Sequence, residues 1–161
     1  MRDEEAFRAF VQLHGAQLTQ TARLLAGSHH AGEDLAQNVL IKLYLKWDRV
    51  SEPLAYARKT LVSTHIDSTR RRWWGERPTD DLPDLHSTDD AQQSMAEKDE
   101  IRQLLLGLTP RERAVVVLRY YCDLSERETA ETLKMPAGTV KSTCARALAQ
   151  LRVTAAIGEG R

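Results

Sequence analysis

Apolar residues recur every three or four positions along most of the chain, which is the period of an amphipathic helix. The pattern predicts helices over about 4–25, 33–47, 53–74 and 97–108. Gly27-Ser28 should end the first helix, and His29 to Gly32 should form its connection to the second. Ser51-Glu52-Pro53 starts the third with proline at the first helical position. The fourth should pack through Ile101, Leu104, Leu105 and Leu108. These elements predict an all-α fold, with fraying from Thr154 to the end.

The last third of the chain carries two capping boxes, Thr109-Pro110-Arg111-Glu112 and Ser125-Glu126-Arg127-Glu128. Each places a hydroxyl at the N-cap and a glutamate three residues later. They predict a helix from about Pro110 to Cys122, with Ala114, Val117, Leu118 and Tyr121 on one apolar face, and a short one from Glu126 to about Leu133. A tight connection at Lys134-Met135 and a longer helix opened by Pro136 complete the spacing of a helix-turn-helix. If Lys134 is left-handed, it costs roughly 1 kcal/mol relative to glycine.

The last predicted helix has two distinct faces. An apolar stripe is formed by Val140, Cys144, Ala147, Leu148 and Leu151. The opposite face holds Lys141, Ser142, Ala145, Arg146 and Ala149, with Thr139 at the start of the helix. Short side chains allow close approach to a DNA major groove, and long cationic ones can reach guanine edges and phosphates. A solvated face on a core helix is the alternative interpretation.

The second predicted helix is apolar almost all round. Leu35, Val39 and Leu43 form one stripe, while Ile41 and Leu45 lie elsewhere on its surface. A helix without a fully polar face is either buried or meets a partner. The mixed set Asp34, Gln37, Asn38 and Ile41 is therefore predicted to be a docking surface, in which polar groups provide specificity and aliphatic groups affinity.

The third predicted helix carries aromatic and cationic residues on one side. Those at helical spacing are Tyr56, Lys59, Ser63, Asp67, Arg70 and Trp74, and the helix ends in Arg70-Arg71-Arg72-Trp73-Trp74. Rings can stack on unpaired bases while cations hold phosphates, which favours single-stranded or melted nucleic acid as the ligand. Two alternatives remain, since arginines also complement a helix C-terminus and the tryptophans can be core residues.

The net charge is zero, but it is unevenly distributed. Residues 1–74 carry +3, residues 75–100 carry −7 and residues 101–161 carry +4. Gly75 to Ser94, with two prolines and five aspartates, has the composition of a solvated linker. Two basic modules thus flank an acidic tether.

Several function classes are disfavoured by what the sequence contains. Cys122 and Cys144 form no CxxC pair, and the five histidines are scattered, so we expect buried thiols and no metal or other cofactor. No apolar run reaches the length of a membrane span and the N-terminus does not resemble a signal peptide, so a cytoplasmic protein is expected. No nucleophile–base pair or phosphate-binding glycine loop is apparent, and an enzyme is the least favoured class.

Three stretches together resemble a known family. Glu33-Asp34-Leu35-Ala36-Gln37 resembles the signature of region 2.2 of bacterial sigma factors. Tyr56 through Trp74 is similar to regions 2.3 and 2.4, and Thr109 to Arg152 to region 4. The layout resembles that of an extracytoplasmic-function (ECF) sigma factor, and the arginine- and tryptophan-rich end of region 2 resembles the SigE-like subgroup.

The resemblance implies two small helical domains joined by an acidic flexible linker: region 2 over 1–75, the linker over 76–96 and region 4 over 97–157. Such a protein binds core RNA polymerase and directs initiation at promoters, while catalysis belongs to the polymerase. It would be a monomer when free, with an anti-sigma protein as a further hypothetical partner.

The resemblance also assigns roles to residues. Asp34, Gln37, Asn38 and Ile41 would contact the β′ clamp helices, and the helix predicted from about Pro110 to Cys122 would carry the β flap tip. Thr139, Lys141, Ser142, Ala145 and Arg146 would read the −35 element. Tyr56, Lys59, Ser63, Asp67, Arg70, Arg71, Trp73 and Trp74 would open and hold the −10 element. The family usually has Asn in place of Ser63, and a single hydroxyl is expected to alter or loosen base choice there.

The main rival is a stand-alone helix-turn-helix regulator that acts without polymerase. That model leaves the docking surface on the second helix and the acidic linker without a role, and a stable dimer would favour it. An adaptor without DNA contact leaves Lys141, Arg146 and the Arg70–Trp74 run unexplained. A membrane-surface role for that five-residue run is disfavoured, because so short a segment buries little apolar area.

Overall fold

The computed structural model describes residues 3–74 and 96–159, and the regular structure in these ranges is helical throughout. The N-terminal group comprises α1 (Glu4–Ala26), α2 (His29–Leu45), a 3₁₀ turn (Trp47–Arg49) and α3 (Pro53–Trp74). The C-terminal group comprises α4 (Ala96–Leu106), α5 (Pro110–Val116), a π-helical segment (Val117–Tyr121), α6 (Glu126–Leu133) and α7 (Ala137–Glu159). The all-α class is confirmed. The predicted linker, apart from its last residue, lies outside the described residues.

The boundary between α1 and α2 is tighter than predicted. Gly27 ends α1 in the left-handed conformation, with φ of 85°. Ser28 then caps α2, and its hydroxyl oxygen accepts a hydrogen bond of 3.1 Å from the backbone N–H of Ala31. The prediction that His29 to Gly32 forms the connection is therefore wrong. One serine suffices after the left-handed glycine, because its side chain satisfies an N–H that the first helical turn leaves free.

Gly32 allows α1 and α2 to cross closely. A Cβ on Gly32 would lie 2.6 Å from the Cα of Arg23, inside any normal contact distance. Next to this crossing Arg23 donates a hydrogen bond of 2.7 Å to the carboxylate of Glu33. That bond and the charge of Arg23 lower the pKa of Glu33. The glycine is thus a packing residue at the close crossing of the start of α2 with the end of α1.

The C-terminal group begins its short helices as predicted. Both capping boxes are complete, with Thr109 paired to Glu112 and Ser125 paired to Glu128. Lys134 ends α6 in the left-handed conformation, with φ of 57° and ψ of 50°. The chain therefore accepts the strain of a non-glycine residue at this turn.

Three expectations for this half are wrong. Ile101 was predicted to be packed together with Leu105 and Leu108 but is 52% exposed, whereas Leu105 in α4 and Leu108 just after it are buried. Tyr121 was expected on the apolar face and is 40% exposed. Tyr121 is the last residue of the π-helical segment, which has more residues per turn than an α-helix and so rotates Tyr121 off that face. The chain from Thr154 continues α7 to Glu159 rather than fraying, in keeping with the helix propensity of its alanines.

The two groups of helices pack against each other in a closed arrangement. In it α5 and the π-helical segment pack on α1, and α6 packs on α3. One core cluster includes buried residues of both groups, among them Leu25 and Leu61 from the first and Leu118 from the second. Each group alone is too small to bury much apolar surface, so the shared core provides each with additional apolar burial.

A buried arginine joins the two groups. Arg113 of α5 is 8% exposed, and burial lowers the pKa of its guanidinium. It donates hydrogen bonds to three backbone oxygens: Leu25 at 2.8 Å, Leu105 at 3.0 Å and Leu108 at 3.2 Å. The Leu25 oxygen belongs to the last turn of α1, so the cation also complements the helix dipole there.

Other contacts follow the same seam between the groups. Arg102 of α4 donates a hydrogen bond of 2.9 Å to the backbone oxygen of Gly27. The Thr21 hydroxyl and the Cys122 thiol lie 3.7 Å apart, although 101 positions separate them in sequence. Both cysteines carry buried free thiols, as predicted.

Candidate nucleic-acid and polymerase interfaces

The α6–turn–α7 unit has helix-turn-helix geometry. The turn is closed by a hydrogen bond of 3.0 Å from the Met135 N–H to the Ala130 oxygen, just after left-handed Lys134. The inward face of α7 is buried through Val140, Cys144 and Ala147. The stripe predicted from periodicity is therefore the packed face of α7.

The predicted −35 residues lie together on the opposite side of α7. Lys141, Ser142, Ala145 and Arg146 are exposed, and Thr139 is half-buried at the helix start. The Ser142 hydroxyl donates to the Thr139 backbone oxygen at 3.2 Å. The result is an uncovered face with short side chains and two cations, which is compatible with a major groove.

Two residues missed by the sequence interpretation contact Arg146. Its Nε lies 3.6 Å from the Glu112 carboxylate, and its Nη2 donates to the Thr143 hydroxyl at 3.5 Å. Glu112 had been interpreted only as a capping residue, and Thr143, at 2% exposed, is buried. Position 143 lies three residues before Arg146 on the same helix, so helical spacing could have signalled that contact.

The predicted −10 residues divide into three sets on α3. Lys59, Ser63 and Asp67 are exposed along one side. Tyr56 is half-buried and packs against the core cluster, so it is less accessible than the periodicity indicated. The Ser63 hydroxyl donates to the Thr60 backbone oxygen at 3.4 Å. The third set, Arg70, Arg71, Trp73 and Trp74, belongs to the last turns of α3, but their side chains lie outside the described part of the chain.

The predicted polymerase-binding residues share one exposed side of α2. Asp34, Gln37, Asn38 and Ile41 are all exposed, with Ile41 at 57%. Leu45 continues this side one turn further on, and it is also exposed. On the other side of the same helix Leu35, Val39 and Leu43 are buried. The structure therefore leaves an apolar and polar surface on α2 without a cover from the described chain.

Residues 3–74 and 96–159 contain no cluster of three or more His, Cys, Asp or Glu side chains with the geometry to bind a metal ion. Within them, no helix has both the length and the hydropathy needed to cross a membrane.

Fold and surface together define a helix-turn-helix protein with a second helical group that exposes a mixed apolar and polar surface on α2. Residues 10–75 match the family model for Sigma-70 region 2, and residues 98–151 match the one for Sigma-70, region 4. The chain is 38% identical to the RNA polymerase sigma-E factor of Streptomyces avermitilis over 149 residues, which cover 91% of this chain and 83% of the relative. The corresponding factor of Streptomyces coelicolor is 37% identical, covering 91% and 84%.

Solved structures agree on the fold. The sigma factor RpoE of Bartonella quintana, crystallised with the anti-sigma factor NepR, superimposes with a TM-score of 0.77 at 23% identity, covering 92% of this chain and 95% of that one. CnrH in complex with the cytosolic domain of CnrY gives a TM-score of 0.71 at 20% identity, covering 96% and 90%. The chain belongs to the ECF group of RNA polymerase sigma factors.

Proposed function

We propose that this sigma factor binds core RNA polymerase and directs promoter-specific initiation by dividing the reading of DNA between its two helical groups. The observation that carries this proposal is the uncovered face of α7, with Lys141 and Arg146 among short side chains. Chemistry is left to the polymerase, and the site of action is the cytoplasm, where the polymerase works.

The −35 element is read by α7 in the major groove. Arg146 is suited to a guanine edge, because its guanidinium can donate two parallel hydrogen bonds, whereas Lys141 is suited to phosphate as a compact charge. Ser142 and Ala145 keep the helix surface close to the bases, and Thr139 is placed near the helix N-terminus, where phosphate binds well.

The −10 element is held by the exposed side of α3. Lys59 supplies a cation, Ser63 a hydroxyl and Asp67 an acceptor, while the Arg70–Trp74 run supplies further cations and stacking surfaces. Ser63 has one hydroxyl where an asparagine would offer both a donor and an acceptor group. Base choice by this chain should accordingly be less strict at that position.

Polymerase docking is assigned to the exposed side of α2, which would lie against the β′ clamp helices. Ile41 and Leu45 contribute apolar area, and Asp34, Gln37 and Asn38 provide orientation. The helix formed by α5 and the π-helical segment would carry the β flap tip, and its exposed Tyr120 offers an aromatic contact.

The closed arrangement has to open before both promoter elements can be read together. By their names the elements are about 25 base pairs apart, roughly 85 Å of B-DNA. A folded chain of 161 residues has a radius of gyration of about 15 Å, which corresponds to a diameter of about 40 Å. The 21 residues from 75 to 95 reach at most about 75 Å when extended, so they are long enough to let the groups separate.

Docking on polymerase would supply the separation. Two weak DNA contacts held at a set distance act through effective concentration, so the holoenzyme should bind promoter DNA well and the free chain poorly. A protein that sequesters the free chain, as an anti-sigma factor does, remains a hypothesis supported by the exposed surface on α2.

The test is capture of core RNA polymerase by the tagged chain, followed by run-off transcription. Ile41→Glu should reduce capture at least tenfold, since it places a charge in the apolar part of the docking surface. Leu13→Glu is the matched control, because Leu13 is an equally apolar residue, 76% exposed, on α1. Failure of the wild-type chain to bind core polymerase at micromolar concentration would overturn the proposal.

A further inference from the structure

Glu112 joins the start of α5 to the recognition face of α7. One carboxylate oxygen, Oε1, accepts a hydrogen bond of 3.1 Å from the Thr109 N–H. The Thr109 hydroxyl in turn accepts one of 3.2 Å from the Glu112 N–H, which closes the capping box. The second oxygen, Oε2, lies 3.6 Å from Arg146 Nε. The carboxylate is thus anchored by the backbone on one side and faces the recognition arginine with the other.

The contacts of Arg146 orient its guanidinium. Nε faces Glu112, and Nη2 faces the Thr143 hydroxyl. These two nitrogens form one edge of the planar group, so that edge is directed toward the protein. Of the five N–H bonds in a guanidinium, three then remain for an outside acceptor, including an end-on pair on Nη1 and Nη2. The side chain is still 64% exposed, so DNA can reach the outward edge.

We propose that Glu112 is a positioning residue for −35 recognition, holding Arg146 with its bidentate edge toward the bases. The inference rests on the proposed role of Arg146 in reading the −35 element. A long side chain fixed before binding loses less conformational freedom when it binds. Glu112 is itself only 19% exposed and anchored by the cap, which makes it a rigid support.

Charge neutralisation would change DNA binding in the opposite direction from positioning. If the Glu112 carboxylate simply neutralised Arg146, removing its charge would strengthen DNA binding. If it orients Arg146, removing the charge weakens discrimination between the preferred −35 sequence and others. An exposed ion pair of this kind should contribute about a twofold to fivefold effect.

Glu112→Gln separates positioning from folding. Glutamine also serves in a capping box, so the hydrogen bond to the Thr109 N–H is kept while the charge facing Arg146 is lost. Glu128→Gln is the matched control, because Glu128 occupies the same place in the second capping box and is paired with Ser125 rather than with an α7 arginine. Thermal unfolding of both variants checks that the caps survive.

The probe is a DNA duplex selected from a random-sequence pool by wild-type holoenzyme, together with versions substituted base by base in its −35 region. Arg146→Ala should flatten the preference at one or two positions. Glu112→Gln should reduce the preference at those same positions about twofold to fivefold, and it should have no further effect in the Arg146→Ala background.

Each other result overturns the inference. If Glu112→Gln and Glu128→Gln change the preference equally, the effect belongs to capping. If Glu112→Gln leaves the −35 preference unchanged or increases it, while Arg146→Ala still loses that preference, the positioning role of Glu112 is rejected and the role of Arg146 stands. If Arg146→Ala leaves the −35 preference intact, the proposed role of Arg146 fails, and the positioning role of Glu112 fails with it.

Discussion

A disulfide across the seam between the two helical groups would test whether they must separate. The Thr21 hydroxyl oxygen and the Cys122 sulfur are 3.7 Å apart, so Thr21→Cys would place a second sulfur close to the native one. Small side-chain rotations can close such a gap to the disulfide length of about 2.05 Å. Replacing Cys144 with alanine removes the other thiol, which otherwise could form competing disulfides.

The size of the effect follows from the loop that the bond closes. The two positions are 101 residues apart, and a loop of that length stabilises the folded state by up to about 4.7 kcal/mol. For a protein of this size, that limit corresponds to a rise in melting temperature of roughly 10–20 °C. Burial raises the pKa of the Cys122 thiol, so oxidation should be carried out at alkaline pH, where more thiolate forms.

The assay compares oxidised and reduced protein in run-off transcription with core polymerase. The oxidised form should be more stable to heat yet unable to support transcription, and a reductant should restore activity. Thr21→Ser in the same background is the control, since it cannot form the bond. Full activity of a protein shown by non-reducing electrophoresis to be fully cross-linked would refute the requirement for opening.

Three further predictions concern the packing that shapes the protein. Gly32→Ala should lower the free energy of unfolding in urea by about 1–3 kcal/mol, because the new Cβ overlaps Arg23. Gly138 has open space around it, so Gly138→Ala should leave that free energy unchanged or raise it slightly. Lys134→Gly should raise the free energy of unfolding by about 0.5–1 kcal/mol, because glycine adopts the left-handed conformation of position 134 without strain. A decrease in stability would contradict this. Arg113→Met removes three hydrogen bonds to backbone oxygens, of which the Leu105 oxygen keeps a second bond from the Leu108 N–H. It should lower the free energy of unfolding by about 3 kcal/mol or more, so a loss below about 1 kcal/mol in urea would contradict its joining role.

Much of the local structure could be predicted because it depends on residues close in sequence. The two capping boxes each involve positions three apart, and both are present as predicted. The end of α1 at Gly27 was likewise predicted from the glycine itself. The apolar stripe of α7 followed from the helical period, since a residue's direction around a helix depends only on its place in that period.

The predicted surfaces could be located on helices for the same reason. Lys141 and Arg146 lie on the exposed face of α7, and Ile41 lies on the exposed side of α2. Their roles in binding DNA and polymerase stay predictions. Periodicity indicates which way a side chain points, whereas binding depends on a partner that the sequence does not contain.

Other features depended on residues distant in the chain. Ser28 follows Gly27 directly, but α2 can begin there only because Gly32 lets its first turn cross α1 at Arg23. The exposure of Tyr121 depends on a π-helical segment that no local signal indicated.

The closed arrangement is the clearest case of tertiary control. The bond from Arg113 to the Leu25 oxygen joins positions 88 apart, and the contact between Glu112 and Arg146 joins two helices. The residues near a side chain in sequence determine whether it lies in a helix and on which face of that helix. They do not determine which distant surface will cover it. That choice is made when the helices pack, because burial and hydrogen bonding are then satisfied between elements together.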